Sequence, residues 1–356
     1  MAAINFGSAV TLAEARDLVI NCPDTVFGFM GEPGVGKSSM MGEFEKHFGP
    51  NYSYAYIDCS TVDLGDIAMP AVNHEAKITE YYPNERFKLH EGKPVIIMLD
   101  EFGKAAQPVQ NMLHPLLESR RPRLGNVPLP EGSRVFITSN LASDGVGDQL
   151  KAHTLNRISR VVVRKSSSDE WLAWAVNNGI DGVVMAWVNQ FPHCMSSYTE
   201  GDQDSNPYIY NPKKMQTAYV SPRSLERASR ILRNRDRVSS GAIISALCGT
   251  LGEPAARDMM AYVNYQDQLP SWESIIKDPA KAHVPEAPGA CAVMIFGAIT
   301  KVTRENITPF MTYLERFEPE WQAAFCMNLS KNPEKQSVGF NSKAFHNWVH
   351  ANNDIL

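Results

Sequence analysis

Gly31-Glu32-Pro33-Gly34-Val35-Gly36-Lys37-Ser38 fits the pattern G-x-x-x-x-G-K-[ST] at every position. Glycines let a backbone curl until its N–H groups surround a phosphate, and a helix starting at the end of the loop adds its positive pole. In that arrangement Lys37 bridges the β- and γ-phosphates and Ser38 gives its hydroxyl oxygen to Mg²⁺. Gly31 through Ser38, with Ser39, are the expected nucleotide-binding set. A second chemical element, Asp100-Glu101, closes the apolar run Val95-Ile-Ile-Met-Leu99. Acids at the carboxyl end of a buried strand stand where open α/β sheets bind their ligands. Asp100 is expected to hold the magnesium through water. Glu101 is expected to orient or deprotonate the water that attacks the γ-phosphate. A solvated strand end also explains two adjacent acids, but downstream of such a loop the catalytic reading is favoured.

Three further polar residues fit the same chemistry. Asn140 follows the run Val135-Phe-Ile-Thr-Ser139, where a neutral amide can hold the attacking water. Leu155-Asn-Arg157-Ile-Ser-Arg160 precedes a last apolar segment. An arginine there is badly placed for its own chain's phosphate and well placed for a neighbour's, where it can compensate transition-state charge. Arg157 is favoured over Arg160 in that role. In Ser221-Pro222-Arg223 a serine cap and a first-turn proline open a helix, which aims Arg223 back toward the phosphate-binding region.

These residues need a scaffold, and the patterning supplies one. Val26–Met30, Tyr52–Asp58, Val95–Leu99, Val135–Ser139 and Ile158–Val163 read as strands, the third apolar throughout as buried parallel strands are. Thr11-Leu-Ala-Glu14 is a capping box that opens a helix running to about Ile20. Lys37–Phe48 reads as a helix with Met40, Met41 and Phe44 on one face. Val109, Met112, Leu113, Leu116 and Leu117 mark another, in which Pro115 should produce a kink. Five strands separated by helices make an α/β domain with a five-stranded parallel sheet over residues 1–165. A second capping box, Ser167-Ser-Asp-Glu170, opens a region that reads as mostly helical to the end. We divide it into a lid domain at 166–265 and a C-terminal extension at 266–356.

The order of phosphate loop, Leu99-Asp-Glu101, Thr138-Ser-Asn140, Asn156-Arg157 and Ser221-Pro-Arg223 resembles the AAA+ ATPases, specifically their MoxR-like branch. In that family Asn140 corresponds to sensor 1, Arg157 to the arginine finger and Arg223 to sensor 2. Arg120-Arg-Pro-Arg-Leu-Gly-Asn-Val-Pro-Leu-Pro130 is similar to the hairpin before sensor 1, and Asp63-Leu-Gly-Asp-Ile-Ala-Met-Pro70 to the segment before a helix-2 insert. The resemblance spans roughly residues 20–235. The chain departs from the MoxR-like pattern at Phe102-Gly-Lys104 after the paired acids, at Ile158 after the finger and at Leu141 after sensor 1. The resemblance implies ATP rather than GTP, Mg²⁺, and a homo-oligomeric ring, expected to be a hexamer, whose nucleotides lie between subunits. It implies a protein client that is remodelled, activated or matured, and a partner carrying a von Willebrand factor A domain. A nucleic-acid motor or loader on the same core, and an ATP-gated scaffold without catalysis, are the alternatives.

Composition narrows these options. Of 356 residues 44% are hydrophobic and 21% charged, as in an ordered globular chain. The net charge of −5 disfavours nucleic acid as a general partner. The longest apolar stretch, Ala290–Ile299, is far short of the ~18 residues of a membrane helix. Met1–Gly7 lacks the basic start and apolar run of a signal peptide. The six cysteines have no metal-knuckle or CxxC spacing and read as reduced thiols, so a soluble cytoplasmic protein is expected. The nine histidines suggest no metal beyond magnesium. Arg223, Arg227, Arg230, Arg233 and Arg237 form a helical stripe that reads as solvated or subunit-facing. Arg120, Arg121 and Arg123 read either as ordinary surface or as client contacts. Tyr81, Tyr82 and Phe87 are expected to pack beneath a loop.

Overall fold

The computed structural model describes residues 9–141, 150–333 and 335–352; Met1–Gly7 lies outside them. The chain divides into two compact units, 1–165 and 166–356.

The first unit is built on a five-stranded sheet. In chain order its elements are α1 (Leu12–Asn21), β1 (Phe27–Met30), α2 (Met40–Phe48), β2 (Ser53–Asp58), β3 (Ala68–Asn73), β4 (Ile78–Pro83) and β5 (Val95–Asp100). There follow α3 (Gln107–Leu113), β6 (Arg123–Leu124), β7 (Val127–Pro128), β8 (Arg134–Ser139), α4 (Ala152–Leu155) and β9 (Ser159–Val162). The main sheet runs β2-β5-β8-β1-β9, and each neighbouring pair is parallel. All five expected strands are present. β5 is buried along its whole length. Because side chains alternate across a strand, Ile96 and Met98 enter one cluster with Phe29, Met40, Phe44 and Phe136. Val95, Ile97 and Leu99 enter the opposite one with Ile57, Leu113, Leu116 and Ile137. That two-sided burial is why the run carries no polar alternation.

Helix ends follow local rules. Thr11 and Glu14 form the reciprocal capping box at α1. The helix expected from Lys37 begins with one 3-10 turn, Lys37–Ser39, before α2. Pro115 does more than kink α3: the α-helix stops at Leu113 and continues as a 3-10 segment, His114–Leu117. A proline ring removes a donor and crowds the carbonyl one turn back, and the tighter geometry relieves both.

The second unit is helical: α5 (Ser168–Asn177), α6 (Gly182–Gln190), α7 (Pro222–Leu232), α8 (Ser240–Leu251), α9 (Glu253–Asp267) and α10 (Trp272–Lys277) lead into α11 (Pro288–Lys301), α12 (Ile307–Leu314), α13 (Pro319–Lys331), α14 (Gln336–Phe340) and α15 (Lys343–Ala351). Val183 to Val188 on α6 are all buried, as are Gly289 to Phe296 on α11, so both helices are apolar on every side. Such helices belong at the centre of a helical unit, which explains the apolar stretch Ala290–Ile299. One hydrophobic cluster joins Trp171 to Trp348. The division expected at 265/266 falls inside α9, and the segment beyond it shares that core with the segment before, so it is not a separate extension. On α7 the exposed Arg223, Arg227 and Arg230 oppose buried Leu225, Ala228 and Leu232. The arginine stripe is shorter than expected, because α7 ends at Leu232 and Arg237 lies on a separate 3-10 turn.

Trp187 is fully buried and its indole N–H has no hydrogen-bond partner among the described residues. Trp187→Ala should destabilise the helical unit by ~3–5 kcal/mol. Trp187→Phe should cost much less, because the buried donor that water had satisfied in the unfolded chain is removed with the ring. Urea unfolding midpoints of the full chain compare the two; equal losses would contradict the assignment.

Candidate nucleotide site

Parallel pairing of β5, β8 and β1 brings three carboxyl ends side by side, with Leu99 opposite Ile137 and Met30 opposite Ser139. The phosphate loop leaves β1, Asp100-Glu101 ends β5, and Asn140 follows β8. The loop is seated closely on the sheet. A Cβ on Gly31 would stand 2.7 Å from the Val163 carbonyl, and Gly36 takes φ +105°, which L side chains rarely adopt. These two glycines are therefore steric necessities of the turn.

Lys37 folds back over the loop. Its Nζ donates to the carbonyls of Gly31 (2.6 Å) and Glu32 (3.0 Å) and reaches Asn140 Oδ1 at 3.3 Å. The loop lysine and the expected sensor are thus in direct contact. Ser38 Oγ donates to Asp100 Oδ2 at 3.0 Å. Tyr56 OH donates to the same oxygen at 2.7 Å, and Thr138 Oγ1 to Asp100 Oδ1. Asp100 is only 7% exposed, so its charge is stabilised chiefly by these three hydroxyls. The hydrogen bond to Asp100 and burial raise the Tyr56 phenol above its ordinary pKa, burial being the larger cause, so the phenol remains a donor. A hydroxyl and a carboxylate are hard oxygen ligands of the kind Mg²⁺ takes, one or two from the protein and the rest from phosphate and water. Ser38 and Asp100 fit that requirement.

Glu101 sits in the left-handed region at φ +51°, and its carboxylate pairs with Lys104 Nζ at 2.6 Å. Both side chains are about one-third exposed. Water screens such a pair, and it is worth at most ~1 kcal/mol. Glu101 is adjacent to the cluster but held by Lys104, a contact not anticipated from the sequence.

Arg157 is joined to other residues. Its Nε donates to Glu118 Oε1 at 2.8 Å and its Nη1 to the His153 carbonyl at 2.8 Å, while Nη2 is left out of both bonds. Beside it, His114 Nε2 lies 2.9 Å from Thr154 Oγ1, and the His114 and His153 rings meet edge to face at 4.6 Å. Arg160 lies within β9, the edge strand of the sheet. Arg223 is the second residue of α7, exposed, in the helical unit. Tyr81 and Tyr82 are 44% and 51% exposed, contrary to the packing expected of them, whereas Phe87 is fully buried.

Tyr56 was not anticipated as a site residue. Its signal was available: a polar-tipped position two residues before the carboxyl end of β2, paired with Met98 of β5. Tyr56→Phe removes one of two donors to Asp100 Oδ2. It should raise the magnesium concentration that half-saturates nucleotide binding about tenfold and leave metal-free nucleotide binding unchanged, as read by magnesium titration with a fluorescent ATP analogue. His114 supplies a pH test. Burial, then the neighbouring His153 and Arg157, lower its pKa below the ordinary 6.5. The unfolded chain therefore binds more protons in the window beneath that value, and stability falls as pH falls through it. His114→Gln should flatten the decline between about pH 7.5 and about pH 5.5, seen in unfolding midpoints.

Residues 28–158 match the AAA domain family, dynein-related subfamily. Comparison with curated protein sequences found no match. Among solved structures, a candidate ATPase from Cytophaga hutchinsonii aligns over 69% of this chain and 82% of its own at 15% identity, with a TM-score of 0.34. That degree of likeness says nothing about what this chain does. The family match spans the phosphate loop, Asp100-Glu101, Asn140 and Arg157, and over residues 28–158 the N-terminal unit carries an AAA domain built on the five-stranded parallel sheet.

Proposed function

We propose that the chain hydrolyses ATP with Mg²⁺ at the interfaces of a homo-oligomeric ring, as MoxR-like AAA+ proteins do, and uses the cycle to remodel a protein client. The observation that carries this reading is the clasp of Asp100 by Ser38, Tyr56 and Thr138, with Lys37 against Asn140. Bound magnesium would neutralise charge on the β- and γ-phosphates. Lys37 and the loop amides bind the triphosphate. Asn140 orients the attacking water, and Glu101 accepts its proton once the screened pair with Lys104 opens.

Arg157 completes the site of the next subunit. Glu118 and the His153 carbonyl fix two of its guanidinium nitrogens, which lowers the entropy cost of presenting Nη2 to a neighbour's phosphate. Arg223 reports nucleotide state to the helical unit. A hexamer, a partner with a von Willebrand factor A domain and a cytoplasmic setting complete the proposal. The six cysteines, all unpaired, support that setting.

ATP turnover of wild type and Arg157→Ala, measured across protein concentrations with ring size by mass photometry, tests the shared site. Wild-type specific activity should rise with concentration. Arg157→Ala should bind ATP and form rings but turn over slower by on the order of 10³-fold. Turnover that ignores both concentration and Arg157 would refute the trans mechanism.

A further inference from the structure

Two hairpins of the first unit are fastened to each other. In β3–β4, Met69 pairs with Tyr82 and Pro70 with Tyr81. In β6–β7, Leu124 pairs with Val127 around Gly125 and Asn126. Tyr81 N donates to Asn126 Oδ1 at 2.7 Å, and Asn126 N to the Tyr81 carbonyl at 3.1 Å. Gly125 is at φ +58°, and a Cβ there would strike that same carbonyl. The hairpins therefore form one small rigid surface.

That surface borders two continuous depressions. One, about 630 Å³, is lined by the apolar side chains of Leu64, Met69, Tyr81, Met112 and Pro115, with Arg123 at its end. The other, about 510 Å³, shares Pro115 and Arg123 and adds Arg120 and Arg121, against Glu118 as its one acid; its far wall of His114 and Arg157 is the side that the proposed ring turns toward the next subunit. Each volume is in the ~300–1,000 Å³ range of ligand-binding clefts. Glu118 is committed to Arg157. The side chains of Arg120, Arg121 and Arg123 make no hydrogen bond or ion pair with any described residue. Three apolar residues of the first depression are exposed: Met69 is 57% exposed, Leu64 46% and Tyr81 44%. Exposed methionine and tyrosine beside cations that no described residue pairs mark an interaction surface.

We infer that this continuous groove docks an extended protein segment in which acidic residues flank a large apolar side chain. The apolar residue enters between Met69, Tyr81, Met112 and Pro115, where the pliable thioethers adapt to its shape. The carboxylates meet Arg123, Arg121 and Arg120, whose planar forks take carboxylates bidentately. Charge complementarity selects this occupant. A nucleic-acid strand would use the cations but leave the apolar half uncovered, and the chain's net charge of −5 opposes it. The inference deepens the proposed client remodelling and rests on it for the segment's belonging to a client.

The test reads binding without ATP, so it fails or succeeds independently of turnover. Fluorescence anisotropy of the full chain with a labelled Glu-Glu-Phe repeat peptide should show saturable binding that weakens with salt. Glu-Glu-Ser and Lys-Lys-Phe repeats should bind at least tenfold more weakly. Arg121→Glu with Arg123→Glu should abolish binding, and Met69→Ser should weaken it about tenfold, with ATP-analogue binding and ring mass unchanged. Arg121→Lys should retain part of it, which guards against misfolding of the charge-reversed variant. The inference is overturned if wild type does not bind the peptide, or if these variants leave its binding intact. It also falls if a single-stranded oligonucleotide displaces the peptide at equal concentration, or if the variants shrink the ring, which would make the groove a contact between copies.

Discussion

A carboxylate cannot be left alone at the edge of a hydrophobic sheet. Asp100 ends a strand whose five preceding residues are wholly buried, and the same burial that stabilises β5 withdraws water from the charge at its tip. Three hydroxyls replace that water. They come from the phosphate loop, from β2 and from β8, so their convergence holds only if those strands lie on either side of β5 in parallel register. The sheet order and the site geometry are thus one constraint. The hydrophobic faces set which strands are neighbours, and the carboxylate fixes how far each runs before the chain turns.

The phosphate loop adds a second requirement, closeness. Gly31 passes so near the Val163 carbonyl that no side chain fits, which ties the loop's position to the residue that follows β9. Lys37 lies across the loop's own carbonyls and against Asn140. The loop therefore keeps its shape through internal contacts, and its ammonium is satisfied by groups that a triphosphate could replace.

Features carried by contiguous residues were legible in the sequence. The phosphate loop, the apolar strand with its two acids, and the capping boxes at Thr11 and Ser167 each encode geometry within a few positions, where spacing dictates contact. Pairings across the fold were not legible. Tyr56 meets Asp100 from 44 residues away and Glu118 meets Arg157 from 39. Neither residue type is unusual where it stands, so only the register of β2 and the end of the α3 segment bring these pairs together. Tyr81 and Tyr82 were misread for a related reason. Aromatic residues usually pack, but on a hairpin fastened by backbone contacts they are held outward. The boundary expected at 265/266 had no local signal behind it, and α9 continues through it.

Pro115 acts as a spacer. A 3-10 segment rises about 2.0 Å per residue, where an α-helix rises about 1.5 Å. Over His114–Leu117 the chain therefore advances about 2 Å further than an uninterrupted helix would, and Glu118 is the next residue. A change of pitch at one ring-closed residue thus sets the reach of an acid toward an arginine far along the chain. In this segment length, rather than charge, selects which partners meet.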